Sequence, residues 1–553
     1  MMDRVSLAIV NFLVIALFTL NGFAGNAGQA GAAAEKNAYE LGRRMYLDGI
    51  LPSGELMSGM IQNDIEVSGD QVKCGACHRP SGMGSTEGQQ VVPAVTGKIL
   101  FEPLQLPASK PPATPILRLA YTRETLKRAI RTGIDANGKL LDPNMPRYPL
   151  DDSSLDLLID YLDTLSVDFS PGVDQHDIHF ATIVSDSVGP KKKKALLDVM
   201  QTFIEQKNVE TRHETERAEH APWHKEWIFK PYRKWVLHVW ELQGPRETWA
   251  KQLNEYYAEH PVFAVLSGVV SGSWEPIHDF CQDNKIPCLF PTTDLPVIAE
   301  KDYYPIYMSR GMTLEGEGIA AHIADDMGIH GQDSVVQVYD PEDELAKTAA
   351  TSLKMKLKDK ADLHDIEIST VTSNAVKKPF DLPDDSILVV WGDQHLLNDC
   401  ITNIEDVHAI KRIYLSTTLY GVDAKQIPEG ISDITYFINP QEMPGKLARL
   451  ILRSTGWLRA KRIYAPDEKR IQANAYFALK VTGSALRVIR GYFYRDYFIE
   501  RVENAIDNAP YTSVYPHIGL APGQRFVSKG FYMAKMAEGN ASKLVNVTEW
   551  TTP

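Results

Sequence analysis

The sequence predicts a small all-α domain over residues 35–168, followed by a two-lobed α/β domain over residues 178–553. A Cys-x-x-Cys-His run lies among short helical patterns in the first part of the chain. From Ile178 onward, short apolar runs alternate with helical patterns, which indicates parallel sheets covered by helices on both faces. Between these regions, residues 169–177 contain Pro171 and Gly172 and are predicted to be a linker.

The overall composition is that of an ordinary soluble protein with room for large cores. The chain has 553 residues, of which 44% are hydrophobic and 23% are charged. This length corresponds to about three or four domain-sized units. The net charge of −13 argues against a nucleic-acid partner, because nucleic-acid binding proteins present basic surfaces to phosphates.

The N-terminus has the form of a secretory signal, which we place within residues 1–30. Arg4 precedes the apolar run Val5–Leu20, and small residues follow it. The run has 16 residues, short of the ~20 that a membrane-spanning helix needs. We therefore predict export to the periplasm, with a retained membrane anchor as the alternative.

Cys74, Cys77 and His78 form the Cys-x-x-Cys-His pattern by which haem c is attached. The two thiols form thioethers with the porphyrin, and the histidine binds the iron. A thioredoxin-type thiol pair would require a βαβ setting, and a zinc site would require a second ligand pair, which does not follow at finger spacing. The sequence therefore predicts one covalent haem c.

Met145 is the predicted second iron ligand. It lies in an Asn-Met-Pro-Arg-Tyr run before a helical pattern that contains Tyr161. Together with Gly42 in the first helical segment, these residues resemble the class I cytochrome c family, which places a Met-Pro loop on the open haem face. The resemblance implies that Gly42 allows two helices to cross closely. Met83 is a competing thioether, but it follows His78 too closely to reach the opposite haem face.

Four motifs occur in order along the second part of the chain. They are a strand and small-residue loop at 263–268, a strand and polar loop at 286–294, a crossover at 307–310 and a late helix at 474–480. With these motifs, the region from about 175 to 537 resembles the type I periplasmic substrate-binding proteins that serve branched-chain and other amino acid transporters. The resemblance implies two lobes, with a ligand bound between them at the carboxyl ends of the strands.

Polar residues after the predicted strands are the candidate ligand contacts. The loop 267–273 precedes a helix, so its backbone N–H groups suit a carboxylate. Turn residues of the same types are also common without any ligand. The candidates are Ser271, Ser273 and Trp274 in this loop, Thr292, Thr293 and Asp294 after the next strand, with Asp294 as acceptor for an ammonium group, and Asp393 and Tyr420 in the second lobe.

These features predict a periplasmic electron-transfer protein, not an enzyme, whose haem domain is coupled to a solute-binding domain. The expected partners are a periplasmic redox protein and a small carboxylate-bearing ligand, such as an amino acid or another organic acid. One alternative is the substrate-binding receptor of an ABC-type transporter, which delivers its solute to a membrane permease and carries an accessory haem. Another is the electron-accepting subunit of a periplasmic dehydrogenase.

Overall fold

The computed structural model describes residues 35–553 except 63, 88–89, 107–115, 167–168, 212–232, 300, 328–333, 359–361, 368–381, 422–426, 490, 509–512, 522 and 538–539. The predicted signal segment, residues 1–30, lies outside the described residues. The chain divides into two compact units, with the division between Phe169 and Ser170. No helix among the described residues is long and apolar enough to cross a membrane.

Unit 1 combines short helices with small antiparallel hairpins, so the prediction of an all-α domain is wrong in this respect. The long connections between its helices pair their own backbone N–H and C=O groups in hairpins β1–β2, β3–β4 and β5–β6. The elements of unit 1 are α1 over residues 35–48, β1 (Ser58–Ile61), β2 (Ile65–Ser68), α2 (Cys74–His78), β3 (Ser85–Glu87), β4 (Gln90–Val92), α3 (Gly97–Leu100), β5 (Leu104–Leu106), β6 (Ile116–Arg118), α4 (Arg123–Thr132) and α5 (Asp152–Thr164).

The first and last helices of unit 1 cross at Gly42. A Cβ atom at this position would lie 2.4 Å from the carbonyl oxygen of Leu157 and 2.7 Å from Cβ of Tyr161. The close crossing expected from the sequence is therefore confirmed. Around it, the rings of Tyr46 and Tyr161 pack in a tilted arrangement with centroids 5.5 Å apart, and both side chains are buried. The residues packed at this crossing belong to the hydrophobic core of unit 1.

The first lobe of unit 2 contains a five-stranded parallel sheet with the order β11-β10-β9-β7-β8. Its central strands are mostly apolar because helices cover both faces. The elements are β7 (Asp177–Ser185), α6 (Pro190–Thr211), β8 (Lys234–Leu242), α7 (Trp249–Glu259), β9 (Ala264–Leu266), α8 (Glu275–Asp283), β10 (Cys288–Leu289) and β11 (Pro305–Ile306).

The second lobe contains a seven-stranded sheet with the order β13-β12-β14-β15-β16-β17-β18. The strands from β13 to β16 run parallel, and β17 and β18 add an antiparallel hairpin at one edge. The elements are α9 (Gly311–Met327), β12 (Ser334–Tyr339), α10 (Glu344–Leu357), β13 (Asp362–Glu367), β14 (Ser386–Trp391), α11 (Gln394–Asn403), β15 (Ile410–Ser416), β16 (Thr435–Asn439), β17 (Tyr532–Ala537) and β18 (Asn540–Asn546).

The chain returns to the first lobe between β16 and β17. Four helices lie in this return: α12 (Pro444–Leu450), α13 (Leu452–Ala460), α14 (Lys469–Ile489) and α15 (Arg495–Asn508). Buried residues of α14, including Phe477 and Leu479, share one core with Phe180 of β7 and Leu266 of β9. The predicted late helix at 474–480 is thus part of α14, and the two-lobed α/β architecture follows from the two separate sheets.

Residues 170–177 do not form a free linker, contrary to the sequence prediction. Ser170 donates its N–H to the carbonyl of Phe493, and Gly172 packs against the backbone of Val262 and Phe263. Pro171 accepts a hydrogen bond from Arg495 through its carbonyl at 3.3 Å. The segment is polar in sequence, but its backbone is bound to unit 2, and it belongs to that unit from Ser170 onward.

Arg495 is a buried side chain that joins several segments at the base of the first lobe. Its guanidinium donates to the carbonyls of Val262 at 2.6 Å and Phe263 at 3.1 Å, just before β9. It also donates to the carbonyls of Asn284 at 3.1 Å and Lys285 at 3.3 Å, just before β10. One side chain thus fixes the positions at which two neighbouring parallel strands begin.

We expect Arg495→Ala to destabilise unit 2 by about 3–5 kcal/mol, because several buried carbonyls lose their donor at once. Arg487→Ala, which removes an exposed arginine from α14, is the matched control and should change the free energy of unfolding by less than about 0.5 kcal/mol. Urea unfolding of the full chain measures both. Equal unfolding midpoints for the two variants would contradict the structural role of Arg495.

Candidate functional site

The Cys-x-x-Cys-His segment of unit 1 forms the short helix α2. Cys74 is half-buried and Cys77 is exposed. Nδ1 of His78 lies 2.8 Å from the carbonyl oxygen of Pro93. Because a carbonyl can only accept, Nδ1 carries the proton and Nε2 keeps its lone pair. Burial lowers the pKa of His78, so the ring is neutral, as a metal-binding imidazole must be.

The loop that carries Met145 lies beside the segment that leads into α2. Tyr148, three residues after Met145, is buried and donates its hydroxyl to the carbonyl of Val72 at 2.6 Å. Backbone hydrogen bonds of 2.9 Å in both directions join Arg147 to Met60 of β1. The segment after α1 that contains β1 therefore supports the Met145 loop, with which it forms a short antiparallel contact.

Met83, which carries the competing thioether, is held beside the attachment segment by local hydrogen bonds of the backbone. Gly84, its neighbour, donates its N–H to the carbonyl of His78 at 3.0 Å, and the N–H of Met83 bonds to the hydroxyl of Ser81. Of these residues, His78 has the tautomer that an iron ligand needs. The attachment of haem by Cys74 and Cys77 and the ligation of its iron by His78 and Met145 stay predictions.

In unit 2, two neighbouring strands of the first lobe end in strained backbone. Ser267 follows β9 with φ of 55°, and Phe290 follows β10 with φ of 57°. Neither residue is glycine, and the left-handed region costs such residues on the order of 1 kcal/mol. The Ser267 side chain is fully buried, and its hydroxyl has no partner among the described residues. The backbone at this edge of the sheet is therefore strained, which is common at ligand-binding sites.

The predicted contacts in the loop 267–273 are only partly available. Ser271 is exposed and donates its N–H to the hydroxyl of Ser185 at 3.2 Å. Ser273 is half-buried, and its hydroxyl accepts the N–H of Glu275 at 3.2 Å. Trp274 is fully buried in the core of the first lobe, so the prediction that it forms a wall of the ligand site is wrong. Its ring fits under Gly268, which lacks a side chain.

The predicted contacts after β10 are engaged within the protein. Thr292 is buried and accepts a hydrogen bond from Asn474 at 3.4 Å, and the hydroxyl of Thr293 accepts the N–H of Leu295 at 3.0 Å. Asp294 was expected to receive an ammonium group from the ligand. Instead, both of its oxygens bind the guanidinium of Arg470, at 2.5 and 2.9 Å. The prediction for Asp294 is corrected accordingly.

The two predicted contacts of the second lobe differ in their roles. Asp393 caps helix α11, because its carboxylate accepts the N–H groups of His395 and Leu396. Capping does not exclude a ligand contact, so the predicted contact of Asp393 stays a prediction. Tyr420 has a buried hydroxyl with no partner among the described residues, and its ring packs on Phe437. Burial raises the pKa of Tyr420, and the nearby Asp393 carboxylate adds to the effect.

A buried polar cluster between the lobes contains residues that sequence reasoning missed. Glu315 of α9 is 1% exposed and accepts the hydroxyl of Thr418 through Oε1 at 2.5 Å. Its Oε2 is buried, and no donor among the described residues reaches it with hydrogen-bond geometry, although the Ser416 hydroxyl is near enough to lower the pKa of the carboxyl. Asp294 and Arg470 of the first lobe act on its charge. A signal was present, since Glu315 shares the inward helical face of the buried Met312 and Ile319.

The electrostatics of this cluster favour a charged or polar ligand group. Burial opposes ionisation of Arg470, but the Asp294 carboxylate outweighs it and raises the pKa of the guanidinium. The pKa of Glu315 rises to about 7, mainly through burial, although the hydroxyls of Ser416 and Thr418 oppose the rise. Nε of Arg470 is also buried without a partner among the described residues. The cluster thus contains a buried acceptor, Oε2 of Glu315, and a buried donor, Nε of Arg470, that both lack a hydrogen-bond partner among the described residues.

No family model and no curated protein matches this chain. Among solved structures, similar ones include the branched-chain amino acid transporter substrate-binding protein LivJ from Streptococcus pneumoniae in complex with isoleucine, at 14% identity, TM-score 0.44, 68% of this chain and 100% of that chain. Another is a branched-chain amino acid ABC transporter protein from Thermus thermophilus with bound valine, at 12% identity, TM-score 0.43, 69% of this chain and 98% of that chain.

A third similar structure is a fatty acid ABC transporter substrate-binding protein from Thermomonospora curvata, at 12% identity, TM-score 0.42, 70% of this chain and 95% of that chain. The first and third of these structures are substrate-binding proteins by name, and the second is named as an ABC transporter with bound valine. Because these identities and TM-scores are low, the description of the fold of unit 2 relies on its own strand order and two lobes.

The buried carboxyl of Glu315 makes the stability of unit 2 depend on pH. In the folded chain its pKa is about 7, whereas an ordinary glutamate titrates at 4.5. The native state therefore retains a proton that the unfolded chain releases between these pH values. The contribution is fully present below about pH 4.5 and is lost as the pH rises through about 7.

We expect Glu315→Gln to exceed the wild type in stability at pH 8 by on the order of 3 kcal/mol, and by progressively less toward pH 5. The exposed Glu342→Gln is the matched control, with no such change between the two pH values. Thermal melts at several pH values provide the measurement. A difference between Glu315→Gln and wild type that stays constant with pH would contradict the argument.

Proposed function

We propose that unit 2 binds a small solute between its lobes, as the receptor component of a solute-uptake system in the periplasm. The observation that carries this proposal is the buried Glu315 carboxyl, which has one oxygen without a partner in a cluster formed by both lobes. A buried unsatisfied carboxylate oxygen is costly, so a ligand that donates hydrogen bonds to it would stabilise the closed lobes.

The chemistry of the cluster favours a solute with an amine. A primary ammonium donates up to three hydrogen bonds, and an ionised Glu315 would accept them. Thr418 adds a hydroxyl from the second lobe beside the Glu315 carboxyl. An amino acid is the simplest solute that also carries a carboxylate for the loop 267–273. Isoleucine and valine are the ligands bound in two of the similar structures.

In this mechanism Asp294 and Arg470 shape the site, and neither side chain forms an ion pair with the solute. Their pairing neutralises both groups, so the net charge offered to the ligand is that of Glu315. The carboxyl would bind the ammonium in its ionised form, and closure of the lobes would exclude water and strengthen the hydrogen bonds. Release to a membrane permease would require the lobes to open.

We further propose that unit 1 carries one covalent haem c and acts in electron transfer with a periplasmic redox partner. The hydrogen bond from His78 to Pro93 supports this second function, because it orients the ring and leaves Nε2 for iron. A bound haem would supply one-electron transfer at a potential raised by the Met145 thioether. The same arrangement would suit the electron-accepting subunit of a dehydrogenase.

Calorimetry of the full chain against amino acids, small organic acids and small amines tests the solute proposal. Glu315→Gln should weaken binding by about 10- to 150-fold, as expected for a lost charge-assisted hydrogen bond. Wild-type affinity should be lower at pH 5.5 than at pH 8, because protonation removes the charge that receives the ammonium. Glu342→Gln should bind as the wild type does. A blank panel would contradict the proposal, and tight binding unaffected by Glu315→Gln would move the site elsewhere.

Native mass spectrometry of exported protein tests the haem proposal and should show the added mass of one haem. Cys77→Ala should impair attachment, because one thioether is lost. Met145→Ala should retain haem and gain carbon monoxide binding, since the sixth position of the iron opens. Met83→Ala is the matched control and should leave the reduced spectrum unchanged. Carbon monoxide binding by Met83→Ala and not by Met145→Ala would reverse the ligand assignment.

A further inference from the structure

An ion pair joins the two lobes of unit 2 at the loop predicted to receive a solute carboxylate. Nη2 of Arg246, in the first lobe, lies 2.6 and 2.7 Å from the two carboxylate oxygens of Glu344. Glu344 is the first residue of α10 in the second lobe. The N–H of Ser273 donates to Oε2 of the same carboxylate at 3.3 Å. A guanidinium and a backbone N–H therefore bind one carboxylate together.

The backbone around this carboxylate is shaped to admit it. Gly272 has φ of +85°, and a Cβ there would lie 2.7 Å from Nη2 of Arg246 and 3.0 Å from Oε2 of Glu344. On the opposite side, Asp343 caps α10 through the N–H groups of Leu345 and Ala346, which sets the direction of the first helical turn. Both sides of the contact are thus positioned by local backbone structure.

The partners of Glu344 are those that would recognise a carboxylate on a small solute. Guanidinium groups and backbone N–H groups form strong charge-assisted hydrogen bonds with carboxylates. The Arg246 and Glu344 side chains are 31% and 46% exposed, so water and salt reach them. An ion pair of this exposure contributes little free energy and can be exchanged for an equivalent partner.

We propose that Glu344 is a built-in carboxylate ligand that holds the lobes closed without solute and that a solute carboxylate displaces it. The displacement rests on the proposed solute-binding function, and it explains why the loop predicted to bind a carboxylate is already engaged. The Arg246 guanidinium and the Ser273 N–H form the carboxylate site, and Glu344 competes for it. Occupancy of this site thereby couples solute binding to the separation of the lobes.

Energy transfer between two dyes measures the separation of the lobes without any solute. Ketone-bearing residues in place of the exposed Lys251 of the first lobe and Met355 of the second lobe allow labelling that avoids the cysteines. Glu344→Gln and Arg246→Ala should each raise the ratio of open to closed molecules about two- to fivefold. Raising the salt concentration should have the same effect on the wild type. Glu342→Gln is the matched control and should leave the ratio unchanged.

Measuring solute affinity distinguishes a Glu344 carboxylate that competes with the solute from an ion pair that only joins the lobes. If Glu344 competes, the two variants should change the affinity in opposite directions. Glu344→Gln should bind a carboxylate-bearing amino acid from the panel about two- to fivefold more tightly, because the competitor is weakened. Arg246→Ala should bind it about tenfold more weakly or worse, because the site itself loses its guanidinium. The corresponding amine without a carboxylate should bind both variants equally.

Unchanged lobe separation in both Glu344→Gln and Arg246→Ala would overturn the proposal, as would an amino acid affinity that Glu344→Gln leaves unchanged. The test of the proposed solute-binding function does not depend on the result of the lobe-separation measurement. A panel without any binding would contradict solute binding, whereas the energy-transfer measurement would still decide whether Glu344 holds the lobes together.

Discussion

The arrangement of the first lobe depends on the guanidinium of Arg495. Its hydrogen bonds end on the carbonyls that precede β9 and β10 and on Pro171, where the chain enters unit 2. A buried arginine is stable only when its donors are satisfied, so the strands must begin where their carbonyls reach it. Because these strands are short and parallel, their starting points also set where Ser267 and Thr292 emerge at the carboxyl edge.

At that edge, the polar groups of the protein largely satisfy one another. Asp294 pairs with Arg470, and Glu344 pairs with Arg246 across the lobes. The exceptions include the hydroxyl of Ser267, Nε of Arg470 and one oxygen of Glu315, which are buried without a partner among the described residues. The distinction matters for function: a satisfied pair shapes the site, whereas an unsatisfied buried atom favours any ligand that completes its hydrogen bonding.

Unit 1 uses the same physical principle on a smaller scale. Its core is the helix crossing at Gly42, and the segments around that core are tied down by single hydrogen bonds to backbone carbonyls. Pro93 orients His78 in this way, and Val72 fixes Tyr148 in the Met145 loop. Orientation of a metal-binding histidine by a carbonyl determines which ring nitrogen is free. Solute binding and redox chemistry are thus proposed for separate units, each with its own core.

Local pattern determined much of this protein: the alternation that produces β12, β14 and β16, the small residue at Gly42 and the spacing of Cys74, Cys77 and His78. These features depend on neighbours along the chain, which a sequence displays directly. The tertiary structure alone decided which polar side chains are available. Arg470 meets Asp294 from 176 positions away, Trp274 turns into the core and Asp393 caps a helix. The hairpins of unit 1 and the partner of Glu344 were hidden for the same reason, because hydrogen-bond partners are chosen by proximity in space.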